Sequence, residues 1–158
     1  MINRLIFLFL LFSIVEASAN IKEKIIQNLE ATNNLTFNFE QNVNSKTENG
    51  HCALSYPQKI FCKYNLKNKK ILVSNGRSLV IKTNSSYYLY SIDKTPLNLI
   101  LDKKYLINKI KVLKGRNVNK NFINFKFSEN DTEINVFFDK KTFNLIGWQT
   151  KDIYQNLS

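Results

Sequence analysis

Apolar and polar residues alternate with a period of two along most of the chain beyond residue 34. Leu35, Phe37 and Phe39 alternate with polar neighbours, and the same pattern returns in later segments. This alternation is typical of strands that bury one face. It predicts strands over residues 35–40, 51–56, 59–65, 70–74, 78–83, 87–92, 109–113, 122–127, 133–138 and 143–151.

Helical spacing replaces this alternation near the amino end. Apolar residues recur on one helical face between positions 21 and 29, and Asn20 followed by Glu23 resembles a capping box. We therefore predict an amphipathic helix over residues 21–31.

A second helical interruption follows the sixth predicted strand. Thr95 places a capping hydroxyl before Pro96, which is favoured in the first turn of a helix. Three apolar residues then share one helical face: Leu97, Ile100 and Leu101. The pattern predicts a short helix from residue 96 to about 103, with a further turn near 105–108.

The order of these elements predicts the fold class. Asn75-Gly76 lies between two predicted strands and favours a type I′ hairpin turn, in which both central residues have positive φ. About ten to eleven short consecutive strands with few helices indicate an α+β protein, mainly antiparallel β. We expect an incomplete, curled β-barrel whose concave face is covered by short helices. No internal repeat or linker divides the chain, so residues 20–158 are predicted to form one domain.

The amino end has the pattern of a secretory signal peptide. A basic start at Arg4 precedes an apolar run over residues 5–15, and Ala17-Ser18-Ala19 is a small-x-small cleavage site. The run would reach only about 17 Å as a helix, short of the roughly 30 Å hydrocarbon core. Residues 1–19 are therefore predicted to be cleaved, leaving an exported protein that is soluble and without a membrane anchor.

Export changes the interpretation of Cys52 and Cys62. In an oxidising compartment a cysteine pair more often forms a disulfide than a metal site. The two residues flank a predicted turn at Tyr56-Pro57-Gln58, and a hairpin register of even parity would bring both sulfurs to one face. The alternative is that both are small buried apolar residues.

Catalytic and metal-binding patterns are scarce. His51 is the sole histidine, and its neighbour Cys52 would point to the opposite face of a strand. Glu129, Asp131 and Glu133 are read as a solvated polar loop, because they lack the glycine and terminal glutamate of a calcium loop. We expect no enzymatic activity, no metal and no cofactor.

The chain carries a formal net charge of +11. Most of its basic residues are lysine, whereas readers of bases and phosphates favour arginine, so nucleic-acid binding is not expected. A basic surface that meets anionic phospholipid headgroups or an acidic partner fits better. The aromatic content of 13% is high for a small sheet protein. Most of these rings must form core, but large rings on a curled sheet can also wall a cavity for hydrocarbon.

Several landmarks occur in an order and spacing that match a known family. They are Phe39-x-Gln41, Gly50, Pro57 with Tyr64 seven residues later, Val73-Ser74-Asn75-Gly76, Thr95-Pro96-Leu97, Phe138-Asp139, Leu145, Trp148 and Asp152. From about Lys22 to Asp152 the chain resembles the periplasmic outer-membrane lipoprotein carriers, the LolA-like proteins.

The resemblance implies a monomeric carrier with defined partners. Family members take acylated lipoproteins from an inner-membrane extractor driven by ATP, shield the acyl chains, and pass them to an outer-membrane receptor lipoprotein. The receptor shares the fold but is lipidated on an amino-terminal cysteine. No such cysteine stands near the amino end here, which favours the carrier. A periplasmic binding protein for another acylated lipid or glycolipid is the alternative function.

The same resemblance suggests where acyl chains would lie. The expected cavity is lined by Phe37, Phe39, Leu54, Tyr56, Tyr64, Leu97, Ile100 and Leu101. The segment 95–104, beginning with Thr95 and Pro96, is expected to form a mobile lid. Well-known members have an arginine before the hairpin proline that hydrogen-bonds this lid. Tyr56 stands at that place here, so Lys59 or Lys63 would have to substitute.

Overall fold

A computed structural model describes residues 16–43, 46–118 and 121–151 of the chain. The helices are α1 (Glu16–Ala31), α2 (Leu97–Leu101) and α3 (Lys103–Val112), and a 3-10 turn spans Ile92–Lys94. The strands are β1 (Asn34–Val43), β2 (Lys46–Ser55), β3 (Lys59–Tyr64), β4 (Ile71–Asn75), β5 (Ser78–Lys82), β6 (Tyr87–Ser91), β7 (Arg116–Val118), β8 (Phe122–Glu129), β9 (Thr132–Asp139) and β10 (Leu145–Lys151).

The strands form two antiparallel sheets. β1 to β6 make one sheet in sequence order, and β7 to β10 make the other, with β9 between β8 and β10. In the described residues no strand pair joins the two sheets, although the rings of Phe37 on β1 and Trp148 on β10 meet edge to face at 6.1 Å. The predicted class is confirmed: a mainly antiparallel, incompletely closed barrel with a few short helices.

The two long helices pack on the four-stranded sheet. Ile25 and Leu29 of α1 and Leu106 and Ile110 of α3 lie in one buried cluster with Phe125 and Phe138 of the sheet. The rings of Phe125 and Phe138 meet edge to face at 5.9 Å. This cluster gives α1 and α3 an extensive apolar interface.

The six-stranded sheet buries one face only, as its alternation requires. Residues of β3 are exposed and buried in strict alternation, with Ile60, Cys62 and Tyr64 inward. A second buried cluster covers this inner face and includes Leu101 of α2 and Ile92 of the 3-10 turn. The short α2 is therefore the helix that covers this face.

The amino end differs from its sequence prediction. α1 begins at Glu16 and includes Asn20 in its interior, so the predicted helix start with a capping box at Asn20 is wrong. Alanine at 17 and 19 favours helix, which extends the element toward the amino end. Residues 1–15 of the predicted signal peptide lie outside the described residues.

The predicted strand over residues 109–113 is also wrong, because these positions belong to α3 and the turn after it. Ile110 and Val112 alternate with lysines, which imitates a strand over five residues. The buried residues Leu106, Ile107 and Ile110 instead follow helical spacing. The helix begins where the Asp102 carboxylate accepts a hydrogen bond from the Tyr105 N–H at 2.9 Å.

Two predictions about local turn and cap geometry are wrong as well. The hairpin between β4 and β5 is confirmed, but only Gly76 has positive φ, at 92°, so the turn is not type I′. Asn75 Oδ1 instead accepts hydrogen bonds from the N–H groups of Arg77 at 2.9 Å and Ser78 at 3.0 Å. The Thr95 hydroxyl donates to the Ile92 carbonyl at 2.8 Å and does not cap α2 as predicted.

Paired alanine substitutions would test α3 directly. Ile110→Ala should lower the free energy of unfolding by about 2–4 kcal/mol, since this side chain is fully buried. Val112→Ala should change it by under about 0.5 kcal/mol, since that side chain is 81% exposed. In a strand both residues would share one face, so equal losses in urea unfolding would contradict the helix.

Candidate functional site

The candidate site is the inner face of the six-stranded sheet together with the side of α2 that covers it. Strand register places Phe37 opposite Cys52 and Leu54 opposite Ile60 on this face. The following eight residues were expected to line a cavity, and all of them lie in or against the two buried clusters: Phe37, Phe39, Leu54, Tyr56, Tyr64, Leu97, Ile100 and Leu101. Ile100 is the exception within the set, because it points into the cluster formed with α1 and α3.

Cys52 and Cys62 lie on the same inner face and are joined by a disulfide. They occupy directly opposed positions of β2 and β3, so the hairpin register has the required parity. Both are buried beside Leu54 and Ile60. The bond therefore joins two neighbouring strands of the six-stranded sheet, both of which lie inside the sheet and not at its edge.

Gly50 makes room for the aromatic end of this face. A Cβ at Gly50 would lie 2.2 Å from the Lys63 carbonyl oxygen and 2.8 Å from a Phe39 ring carbon. The absence of a side chain lets the Phe39 ring lie over β2, where it meets the Tyr64 ring edge to face at 4.9 Å. The Tyr64 hydroxyl donates to Gln41 Oε1 at 3.1 Å, which fixes the ring.

Gln58, in the turn between β2 and β3, attaches α2 to the sheet. Its backbone N–H donates to the Leu101 carbonyl at 3.1 Å, and its side-chain Nε2 donates to Asn98 Oδ1 at 2.7 Å. Its own carbonyl accepts a hydrogen bond from the Ser74 hydroxyl at 2.9 Å. Sequence reasoning missed Gln58, because a glutamine after a turn proline carries no distinctive signal.

Lys103, which follows α2 directly after Asp102, connects this part of the chain to α1. Its ammonium group donates to the carbonyls of Glu30 at 3.0 Å and Thr32 at 2.9 Å, at the carboxyl end of α1. The negative end of a helix favours a cation. Lys59 and Lys63, which were expected to hold the lid, are exposed on the outer face of β3 and point away from it.

The space beneath α2 is filled by the protein's own side chains. Leu54 is 2% exposed and Leu101 is fully buried. At the junction of α1 with the sheets, around Leu29, Leu35 and Tyr56, the described residues leave a void of about 10 Å³. That volume is the size of one water at most. An acyl chain can enter this face only if α2 moves.

Tyr56 lies at the boundary of both clusters and has an unusual hydroxyl. Its oxygen is buried and has no hydrogen-bond partner among the described residues. Burial raises the pKa of Tyr56 to about 12. Burial and the nearby Glu48 carboxylate raise the pKa of Tyr64 to about 12 as well, but the Tyr64 hydroxyl is hydrogen-bonded.

The residues considered for catalysis or metal binding lie on different faces of the sheet or form hydrogen bonds with other side chains. His51 is exposed on the outer face, with Nδ1 3.1 Å from Asn38 Oδ1, whereas Cys52 is buried on the inner face. Glu129 accepts hydrogen bonds from Lys109 at 2.9 Å and from the Tyr105 hydroxyl at 2.7 Å, and both interactions lower its pKa. Within the described part of the chain, no group of three or more His, Cys, Asp or Glu residues could hold a metal ion.

The two buried tyrosines give a matched prediction at neutral pH. Tyr56→Phe should leave the free energy of unfolding unchanged or raise it by up to about 1 kcal/mol, since it removes an unpartnered buried hydroxyl. Tyr64→Phe should lower it by about 1 kcal/mol, because Gln41 loses its donor. Urea unfolding at pH 7 measures both values.

The loss of stability at alkaline pH gives a second test of the buried Tyr56 hydroxyl. An unfolded tyrosine ionises near pH 10, and burial keeps Tyr56 protonated to about pH 12. The resulting stability is present below pH 10 and is lost as the pH rises to 12. Tyr56→Phe should therefore show a shallower loss over this range, and an unchanged loss would contradict the buried hydroxyl.

Comparisons with known proteins identify the family of the chain. A family model described as outer membrane lipoprotein carrier protein LolA matches residues 30–158. The chain is similar to the crystal structure of a LolA superfamily protein from Nitrosomonas europaea, with 6% sequence identity and a TM-score of 0.43, over 90% of this chain and 75% of that one. No curated protein matches the chain. Among the described residues, no helix is long and apolar enough to cross a membrane. Because the family model spans most of the sequence, the resemblance inferred from the landmarks is confirmed, and the chain belongs to the LolA family of outer membrane lipoprotein carrier proteins.

Proposed function

We propose that this protein is a periplasmic carrier that shields the acyl chains of lipoproteins between the inner membrane and the outer membrane. The family is one of carriers and not of enzymes, and this supports the proposal at a coarse level. The observation that carries it is the apolar inner face of the six-stranded sheet, covered by a helix of only five residues. Acyl chains would replace α2 as the cover of that face.

The lid in this proposal is α2 with the residues on either side, from Thr95 and Pro96 to Lys103. It opens when Leu97 and Leu101 leave the sheet and the hydrogen bonds from Gln58 break. α3 stays in place, because its buried residues pack with α1 and the four-stranded sheet. The cavity then forms between the sheet and the displaced helix.

The energies of opening and binding are of comparable size. Exposing Leu97, Ile100 and Leu101 and breaking the two hydrogen bonds of Gln58 costs about 6–12 kcal/mol. Burying one 16-carbon acyl chain gains about 12 kcal/mol, at about 0.8 kcal/mol for each methylene. Binding can therefore drive opening, and the modest surplus allows the cargo to pass to a receptor without fuel.

The proposed pathway follows from the family. An inner-membrane extractor driven by ATP would supply the lipoprotein, and an outer-membrane receptor lipoprotein would accept it. The carrier would act as a monomer.

Export requires that the amino-terminal segment be removed. We propose that residues 1–19 are a signal peptide and that residues 20–158 form the mature carrier domain. The intact mass of the protein purified from the periplasm should correspond to a chain that begins at Asn20. A mass that retains the first 19 residues would contradict cleavage.

A substitution on the covered face of α2 tests acyl-chain binding. Leu97→Glu places a charge in the proposed cavity and should weaken binding of a diacylated lipopeptide at least about tenfold. The matched control is Val112→Glu, an apolar residue on a helix face that is 81% exposed, and its affinity should stay within about twofold of the parent. Equal affinities for Leu97→Glu and the parent would contradict the proposal.

A second variant keeps the test valid if Leu97→Glu unfolds the protein. Asn98→Ala removes the acceptor of the Gln58 side chain and leaves every apolar contact of α2 unchanged. It weakens the closed state, so lipopeptide affinity should rise about two- to tenfold. Native mass spectrometry of the protein from the periplasm would identify the cargo. A free lipid or glycolipid there, in place of a lipidated polypeptide, would favour the alternative binding function.

A further inference from the structure

β6, at one edge of the six-stranded sheet, exposes apolar side chains on both of its faces. Four consecutive residues are exposed, namely Tyr87 at 62%, Tyr88 at 51%, Leu89 at 60% and Tyr90 at 46%. Edge strands are commonly protected by charged side chains, and β6 carries none. This strand therefore presents an apolar surface that the fold does not cover.

The apolar surface continues from β6 across the outer face of the sheet. Leu89 pairs with Val80, Val80 with Val73, and Val73 with Phe61, so these residues form one row over four strands. Phe61 is 48% exposed. A shallow groove of about 440 Å³ adjoins this row at Phe61 and Val73. We call the four exposed residues of β6 and this row the apolar edge.

Basic residues surround the apolar edge. The sequence from 59 to 91 contains seven basic residues and no acidic one. On the outer face, Lys82 of β5 pairs with Tyr87 of β6, next to the pair formed by Val80 and Leu89. Lys63 of β3 lies in the same cross-strand row as Lys82 and Tyr87. The Asn84 N–H donates to the Asn68 carbonyl at 2.8 Å, which brings the turn with the exposed Lys67 and Lys69 beside the start of β6.

We propose that the apolar edge docks on a membrane surface rich in anionic phospholipid. The tyrosine and leucine side chains of β6 enter the headgroup layer, where tyrosine is enriched in membrane proteins. Lys63, Lys67, Lys69 and Lys82 contact lipid phosphates. The free backbone groups of the β6 edge keep water or headgroup partners, because the insertion is shallow.

The charge around β6 favours an anionic lipid layer over a protein partner. Side chains on both faces of this strand are exposed to similar extents. A protein that paired with this edge would have to supply acidic side chains opposite the basic segment 59–91, whereas anionic headgroups supply negative charge on both sides of an inserted edge. A second copy of the chain is disfavoured as well, because its basic segment 59–91 would approach another of the same sign. Tyr88 and Tyr90 lie on the inner-face side of β6, opposite Ile81 and Leu79, whereas Tyr87 and Leu89 lie on the outer face. A variant that changes only Tyr87 and Leu89 therefore tests docking apart from the inner face under α2, so the two proposals can fail separately.

Vesicle flotation with the protein purified from the periplasm tests the docking surface. The protein should bind vesicles of phosphatidylglycerol and phosphatidylcholine about tenfold or more tightly than vesicles of phosphatidylcholine alone, and salt should weaken this binding. The double substitution Tyr87→Ser and Leu89→Ser should reduce affinity for the anionic vesicles about tenfold. Lipopeptide binding in solution should be unchanged in this variant.

A second pair of substitutions tests the lysines. Lys67→Gln with Lys69→Asn should reduce affinity about twenty-five-fold, at about fivefold for each lysine. Asparagine is chosen at position 69 because the backbone there has a φ of 53°. The control Lys111→Gln with Lys114→Gln removes the same charge near the end of α3 and should change affinity by under about threefold.

The apolar control and the contrary outcomes complete the design. Val112→Ser with Ile146→Ser removes two other exposed apolar side chains and should leave vesicle binding within about twofold of the parent. The proposal is overturned if Tyr87→Ser with Leu89→Ser binds anionic vesicles like the parent, or if the controls lose as much affinity. It is equally overturned if vesicles do not bind and the edge instead pairs two copies, seen as a dimer that this same variant dissociates.

Discussion

The structure depends on how the inner face of the six-stranded sheet is covered. Every strand from β1 to β5 directs apolar side chains to that face, and α2 is the helix that shields its centre. Leu101 is fully buried there, yet α2 spans only five residues and accepts hydrogen bonds from Gln58 in the turn between β2 and β3. A large apolar face is thus covered by one short helix with few hydrogen bonds to the rest of the structure.

The two sheets consequently have different mechanical roles. The four-stranded sheet packs against α1 and α3, which are longer than α2, through a cluster that includes Phe125, Phe138 and Ile110. The six-stranded sheet is held together by its backbone hydrogen bonds and by the Cys52–Cys62 disulfide, neither of which involves α2. In the proposed carrier, this sheet would be the fixed wall of the cavity and α2 the part that moves.

The two faces of the six-stranded sheet also divide the chemistry. The inner face is apolar and covered, whereas the outer face carries an apolar row between basic residues and ends at the exposed tyrosines of β6. In the two proposals, acyl chains would bind the inner face under α2, and the membrane would contact the outer face and the β6 edge. Cargo could then stay shielded by α2 and the sheet while the protein is docked.

The sequence by itself determined nine of the ten strands and the fold class, because a period-two pattern with one buried face is a local property; it missed β7 and placed a strand at 109–113 instead. It favoured a cysteine bridge, but the bridge depended on the hairpin register, and only the structure showed that Cys52 and Cys62 are directly opposed. It did not reveal α3, because Ile110 and Val112 between lysines fit a strand as well as a helix until the partner surface is known. The position of Asn75-Gly76 was local, but the turn type depended on the Asn75 side chain. Only the tertiary structure showed that Gln58 bonds to α2 and Lys103 to the end of α1, because their partners are distant in the chain. It alone also showed that the inner face is filled, since a volume between packed elements has no signal in the order of residues.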